Sequence, residues 1–168
     1  MAMKIELLRD IAIFLTLDGG EMEQVLSITR ERRFGGGEIV MEEGGEGDTM
    51  YVVLEGEVEV SKSLLMKFGD NDFRETEKVL TRFRPEDHMV FGEMALIGED
   101  TRSATIITME ECRLLEINRS DFLQLLRSSP AIGVKVLLKI SELLISRLRR
   151  ASEDTIRLTT ALSIALSK

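Results

Sequence analysis

Histidine, cysteine, proline and tryptophan are nearly missing from this 168-residue chain, which holds one His, one Cys, two Pro and no Trp. The single cysteine, Cys112, rules out an internal disulfide. Its neighbours, Arg113-Leu114-Leu115-Glu116-Ile117, make it a small packing residue of a strand. The single histidine, His88, cannot build the clustered-histidine metal site of small barrel enzymes, and it is read as a turn residue. Long apolar runs are absent as well. No stretch nears the ~20 apolar residues of a membrane span. The first residues carry Lys4, Glu6 and Arg9 instead of a leader's apolar core. The expected location is therefore the cytoplasm, with no membrane partner. A Walker loop, a Ser-His-Asp set and paired cysteines are all lacking, so no enzyme is expected.

Positive charge is scarce too. Lys and Arg number 22 against 30 Asp and Glu, for a net charge of −8. This points away from nucleic acid, whose binding leans on neutralising phosphates. The balance is uneven: residues 1–130 carry −12 and residues 131–168 carry +4. An anion site on the acidic part must then be local. At 43% hydrophobic residues, the chain is long enough to bury a core of its own.

Periodicity divides the chain. Residues 4–16 read as a short amphipathic helix with Ile5, Leu8, Ile11, Ala12 and Leu15 inward, ended by Asp18-Gly19-Gly20. A second helix is predicted over Glu21–Ile28, with Met22, Val25 and Leu26 inward. From Arg30 the pattern changes to short strands between glycine turns: Gly35-Gly36-Gly37, Gly44-Gly45-Glu46-Gly47-Asp48 and Gly56. These glycines are read as marking the fold and not a ligand. Residues 61–84 predict an extended hairpin with a mobile tip at Gly69–Asp72. Two last strands follow at 104–108 and 113–117, then a helix over Asp121–Ser128 capped by Ser120, with Phe122, Leu125 and Leu126 inward.

Pro130 opens the final helix, expected to run from Ala131 to about Leu166, ~54 Å at ~1.5 Å per residue. Its inner half, Leu137, Ile140, Leu144 and Leu148, is expected to pack on the barrel. Its outer half repeats Leu148, Ala151, Thr155, Leu158, Leu162 and Ala165 in the manner of a coiled coil. A homodimer through this helix is the expectation. The fold class is α+β, mainly β: an antiparallel β-roll or jelly-roll barrel with short N-terminal helices and a long C-terminal helix. Residues 1–130 form the roll, and residues 131–168 the helix of the same domain.

Chemistry concentrates in Val90–Thr105. Phe91-Gly92-Glu93 ends a strand and begins a short helix. There the amides of Glu93, Met94 and Ala95 are free to meet an anion. Arg102, nine residues after Glu93, can return a two-pronged donor to the same anion. A carboxylate beside an anion site makes sense when the ligand also carries a hydroxyl. A ring-closed phosphate next to a ribose hydroxyl, a 3′,5′-cyclic nucleotide, meets both demands.

Phe91-Gly92-Glu93, with Arg102-Ser103-Ala104 in register, resembles the phosphate-binding cassette of the cyclic-nucleotide-binding domain family. Catabolite activators and the regulatory subunits of cAMP-dependent kinase belong to it. The resemblance implies a barrel entered through short helices and a regulatory module rather than an enzyme. It implies Arg102, Ser103 and the amides of Met94 and Ala95 on the cyclic phosphate, and Glu93 on the 2′-hydroxyl. Phe91, Gly92 and Ala104 complete the cassette. On the long helix, Arg147 matches an arginine near the ligand. Ala151-Ser152 stands where bacterial members place Thr-Ser on the adenine amino group, Ser152 reaching across a dimer. The neighbouring Arg149 and Arg150 are read as a solvated basic face. The implied ligand is cAMP ahead of cGMP, with no cofactor, for a stand-alone bacterial member lacking a helix-turn-helix domain, its output protein unknown. Rival readings of the same residues are a degenerate domain serving as a dimerising scaffold and a fragment of a transcription regulator.

Overall fold

A computed structural model describes residues 8–67, 73–98 and 101–167. Strand β3 (Thr49–Glu55) is apolar on both faces, and this decides the layering. Successive strand side chains point to opposite sides. Met50, Val52 and Leu54 enter a core shared with the helices, while Tyr51 and Val53 enter a second core inside the roll. Strand β8 (Cys112–Asn118) divides in the same way: Leu115 and Ile117 face the helices, Cys112 and Leu114 the roll.

Around these two strands lie β1 (Thr29–Phe34), β2 (Ile39–Met41), β4 (Val58–Lys67), β5 (Phe73–Phe83), β6 (Val90–Phe91) and β7 (Thr105–Thr108). They form two four-stranded sheets, ordered β1-β8-β3-β6 and β2-β7-β4-β5, and every pairing is antiparallel. This is the mainly-β roll with helices expected from the sequence. The β4–β5 hairpin pairs from Val58↔Phe83 out to Lys67↔Phe73. The mobile tip expected at Gly69–Asp72 lies outside the described residues. Pro85–Asp87 forms a 3₁₀ turn that His88 closes in the left-handed region, at φ 50°.

The N-terminal expectation needs correction. Of the helix expected over 4–16, residues 4–7 lie outside the described part, Leu8 and Arg9 are helical, and from there the chain makes i→i+3 bonds. Ile11 donates to Leu8, Phe14 to Ile11 and Leu17 to Phe14. Leu8, Ile11, Phe14 and Leu17 step by three and are all buried, which is the period of a 3₁₀ turn. Ala12 and Leu15 point outward. Asp18-Gly19-Gly20 starts a helix rather than ending one. Helix α1 (Gly19–Ser27) begins with a reciprocal capping box between Asp18 and Glu21, both bonds at 2.9 Å.

Helix α2 (Arg119–Ser128) is capped by Asn118, whose side chain accepts from the Ser120 amide, so the cap is not Ser120 itself. Helix α3 (Pro130–Leu166) has the expected length. Its barrel-facing stripe differs from the expected one: Ile132, Gly133, Val136 and Ile140 are buried, Leu137 and Leu144 half-buried, and Leu148 67% exposed. Gly133 lets α3 close on Leu126 of α2, where a Cβ would lie 3.3 Å from the leucine side chain. From Ile145 to Ser167 every residue but Arg147 is exposed. Among the described residues, no helix is long and apolar enough to cross a membrane.

Candidate ligand-binding site

Tyr51 of β3 holds the cassette against the roll. Its ring stacks on Phe91, centroids 5.6 Å apart, and β6 pairs with β3 at that residue. Burial pushes the Tyr51 hydroxyl pKa up, and that hydroxyl donates to Glu116 at 3.0 Å. Gly92 then turns the chain at φ 77°, where a Cβ would sit 2.6 Å from the Thr49 carbonyl oxygen. Only glycine fits so close an approach in a left-handed conformation.

Glu93–Leu96 form a 3₁₀ turn, tighter than the expected helix start. Its first bond runs from the Ala95 amide to the Gly92 carbonyl at 3.1 Å. Closing at i→i+3 takes one amide more out of play than an α-helical start does. The Ala95 amide, expected on the phosphate, is thus occupied, and Glu93 and Met94 remain as the turn's donors.

Arg102 is 8% exposed. Its Nη1 donates to the Thr49 carbonyl at 2.7 Å and its Nη2 to Thr49 Oγ1 at 2.8 Å. Among the described residues it forms no ion pair with a carboxylate. Burial lowers its pKa, opposed by Tyr51 and Asp48 nearby. A desolvated guanidinium held by neutral partners is costly alone and gains strongly from an anion. The Gly47-Asp48-Thr49 segment that receives it is pinned where β8 meets α2: the Asp48 carboxylate accepts from Asn118 at 2.9 Å, and the Asp48 carbonyl accepts from the Arg119 amide at 2.7 Å. A Cβ built on Gly47 would overlap the guanidinium itself. Gly47 is thus the space that Arg102 occupies, a contact that the reading of the glycine turn as fold alone does not include.

Glu93 is 2% exposed, and Arg147 reaches down from α3 to pair with it through Nη1 and Oε1. The second carboxylate oxygen has no protein donor among the described residues. Between cassette, β4–β5 and α3 lies a cavity of about 500 Å³. Phe91 and Gly92 through Ala95 line one side, Arg102 through Ala104 another, and Arg147 the α3 side. Ser103 is exposed at its edge. Ser152 is the one expected residue the chain does not bring there: its hydroxyl donates to the Leu148 carbonyl at 2.9 Å and it does not line the cavity.

Other lining residues escaped the sequence. Lys62, Leu80, Thr81 and Phe83 come from the hairpin. Arg150 also lines the cavity, while staying exposed as the reading of a solvated face has it. The available signal was its spacing: three residues after Arg147, it shares that residue's side of the helix.

A family model described as Cyclic nucleotide-binding domain matches residues 31–129. The Cyclic AMP receptor protein of Thermus thermophilus is 30% identical over 139 residues, 83% of this chain and 58% of its own length. The cAMP-dependent protein kinase regulatory subunit of Dictyostelium discoideum is 28% identical over 117 residues, 70% of this chain and 34% of that protein. Among solved structures, the Thermus thermophilus Catabolite Activator Protein superposes with a TM-score of 0.74 at 29% identity, over 88% of this chain and 63% of that chain. The chain therefore spans from about a third to three fifths of these curated relatives' lengths. On the strength of a match that includes the whole cassette and both strands that seat it, the chain belongs to the cyclic nucleotide-binding domain family.

Proposed function

We propose that this protein is a non-catalytic sensor of a 3′,5′-cyclic nucleotide. One observation carries the reading: Arg102 is buried, is held by Thr49 without a carboxylate, and lines a cavity that Glu93 and Arg147 also line. The phosphate goes to Arg102, Ser103 and the Met94 amide, and the ribose 2′-hydroxyl to the open oxygen of Glu93. cAMP is the first candidate, because the relatives in the kinase and receptor groups carry it in their names. Since Arg147 sits on α3 and Glu93 in the cassette, ligand bound at this pair biases how α3 is held, a population shift that is the signal. In this reading, roll and helix act as one domain, because Ile132, Val136 and Ile140 share the core of β3 and β8.

Calorimetric titration with cAMP tests this. Measurable heat and a thermal shift are expected. 2′-Deoxy-cAMP is expected to bind more weakly by about 1–3 kcal/mol, since Glu93 then lacks its hydroxyl partner. Silence up to millimolar cAMP and cGMP would end the sensor reading.

A homodimer through α3 is the second part of the proposal. Val134, Leu138, Ile145, Leu148, Leu162 and Leu166 are 51–78% exposed along one stripe of alternating three- and four-residue steps. Ser141, Ser152, Thr155 and Thr159 fill its remaining positions. The stripe shares Leu148, Thr155 and Leu162 with the expected seam, whose other members, Ala151, Leu158 and Ala165, are exposed beside it. It also puts Ser152 on the side facing a partner, which supports a contact made across the pair. Light scattering is expected to give a dimer at micromolar concentration and a monomer for Leu148→Glu. A monomeric wild type would remove this part.

A further inference from the structure

Past Arg147, the barrel-facing side of α3 stays cationic where an apolar residue would be ordinary. Ile132, Val136 and Ile140 are buried on that side, and Arg147 and Arg150 follow over the cavity. The opposite wall is β4 and β5, where Val60 pairs with Thr81 and Lys62 stands two residues further along. Lys62 lies 3.7 Å from Glu43, whose carboxylate also accepts from the Ser63 amide at 2.8 Å. Arg150 forms no ion pair among the described residues.

The charges do not cancel. Arg102 is assigned to the phosphate, and Arg147 is engaged by Glu93. Arg150 is left without a carboxylate among the described residues, and Lys62, which shares Glu43 at 3.7 Å, keeps further N–H donors, on the part of the lining that neither the phosphate nor the ribose uses. Apart from Glu93, the cavity is lined by no Asp, Asn, Gln or Glu among the described residues. Among the lining side chains, apart from Glu93, only hydroxyls, such as that of Thr81, are there to accept from an amino group. Hydroxyls donate as readily as they accept, so they do not discriminate.

We infer that Arg150, with Lys62, reads the acceptor edge of the base, and that these two residues set how well the site takes guanine relative to adenine. Guanine presents O6 and N7, which a guanidinium fork matches; adenine puts an amino donor where O6 would be. A fork facing that amino group is donor against donor. This deepens the proposed nucleotide reading and rests on it. It adds a contact available to cGMP that cAMP cannot make.

The test is the affinity of cAMP, cGMP and cIMP for the wild type and for Arg150→Met, Arg150→Lys and Lys62→Gln. cIMP isolates O6, since its base has that oxygen without guanine's amino group. Methionine keeps the apolar stem and deletes the fork at an exposed position, so folding should hold, which a thermal melt checks. Arg150→Met is expected to weaken cGMP and cIMP about tenfold more than cAMP. Lys62→Gln should act in the same direction by a smaller factor. Arg150→Lys keeps the charge without the fork, and should recover the cAMP affinity more fully than the cGMP affinity. Equal weakening of all three nucleotides by Arg150→Met would make Arg150 a bulk attractant for phosphate and overturn the inference. So would an unchanged cGMP:cAMP ratio. Failure of the wild type to bind any cyclic nucleotide overturns this together with the reading beneath it, whereas binding with an unmoved ratio overturns this inference alone.

Discussion

Arg102→Ala is expected to weaken cyclic-nucleotide binding by at least about 1.5 kcal/mol, more than about tenfold in Kd, because a charge-assisted bond to the phosphate is removed. Gly47→Ala is expected to do nearly the same with Arg102 still in place. The added methyl would occupy the position of the guanidinium. Arg102 must then leave its two bonds to Thr49, at 2.7 and 2.8 Å, and with them the geometry in which it meets an anion. Folding should change little, since the obstructing atoms belong to the far end of a flexible side chain and Gly47 is not in the left-handed region. The double variant is the sharper measurement. If Gly47 acts only through Arg102, the two losses will not add, and Gly47→Ala will cost nothing further once Arg102 is alanine. Additive losses in a calorimetric cycle would mean that Gly47 contributes to the ligand separately, and full affinity in Arg102→Ala would move the phosphate elsewhere.

Phe122→Ala is expected to be the most destabilising of the changes considered, by about 3–5 kcal/mol. Phe122 is 2% exposed and sits where α2 meets the cassette and α3, in a core with Leu96, Leu125, Ile132 and Val136. Three separate elements set that space. No single one can move in to fill it without giving up its own contacts, so most of the cavity should remain. At ~2–4 °C per kcal/mol for a chain of this size, the melting temperature should fall on the order of 10 °C. Urea unfolding checks the attribution: the midpoint should drop with an unchanged slope. A loss under about 1 kcal/mol would show that α2 relaxes onto the roll, and that the junction is softer than its burial suggests.

Both experiments probe residues whose roles the sequence shows very unequally. Phe122 is legible: an apolar residue at helical spacing from Leu125 and Leu126, in a segment bounded by Ser120 and Ser129-Pro130, can hardly face water. Gly47 is not. Among turn glycines it looks like Gly44 and Gly45, and its partner Arg102 lies far along the chain, brought near by the Glu46↔Thr101 bridge. Arg150 was hidden for a related reason. In a run reading Arg147-Leu148-Arg149-Arg150, charge alone gives no side, and only the placement of α3 over the cavity puts Arg150, exposed as it is, along the cavity lining and leaves Arg149 off it. The same holds for the 3₁₀ turns at Ala12–Phe14 and Glu93–Leu96: short apolar runs do not distinguish i→i+3 from i→i+4 closure, and the surroundings choose.

What the sequence determined by itself is what backbone chemistry and periodicity write locally. These are the glycine turns, the short strands between them, the long helix opened by Pro130, and the cassette motif with its Gly92, Glu93 and Arg102. Only the tertiary structure decided which groups meet: Arg102 with Thr49 over Gly47, Glu93 with Arg147, Arg150 and Lys62 across one cavity. These pairs are joined through packing between sheets and helix, whose distances depend on every side chain between them, so no spacing along the chain records them.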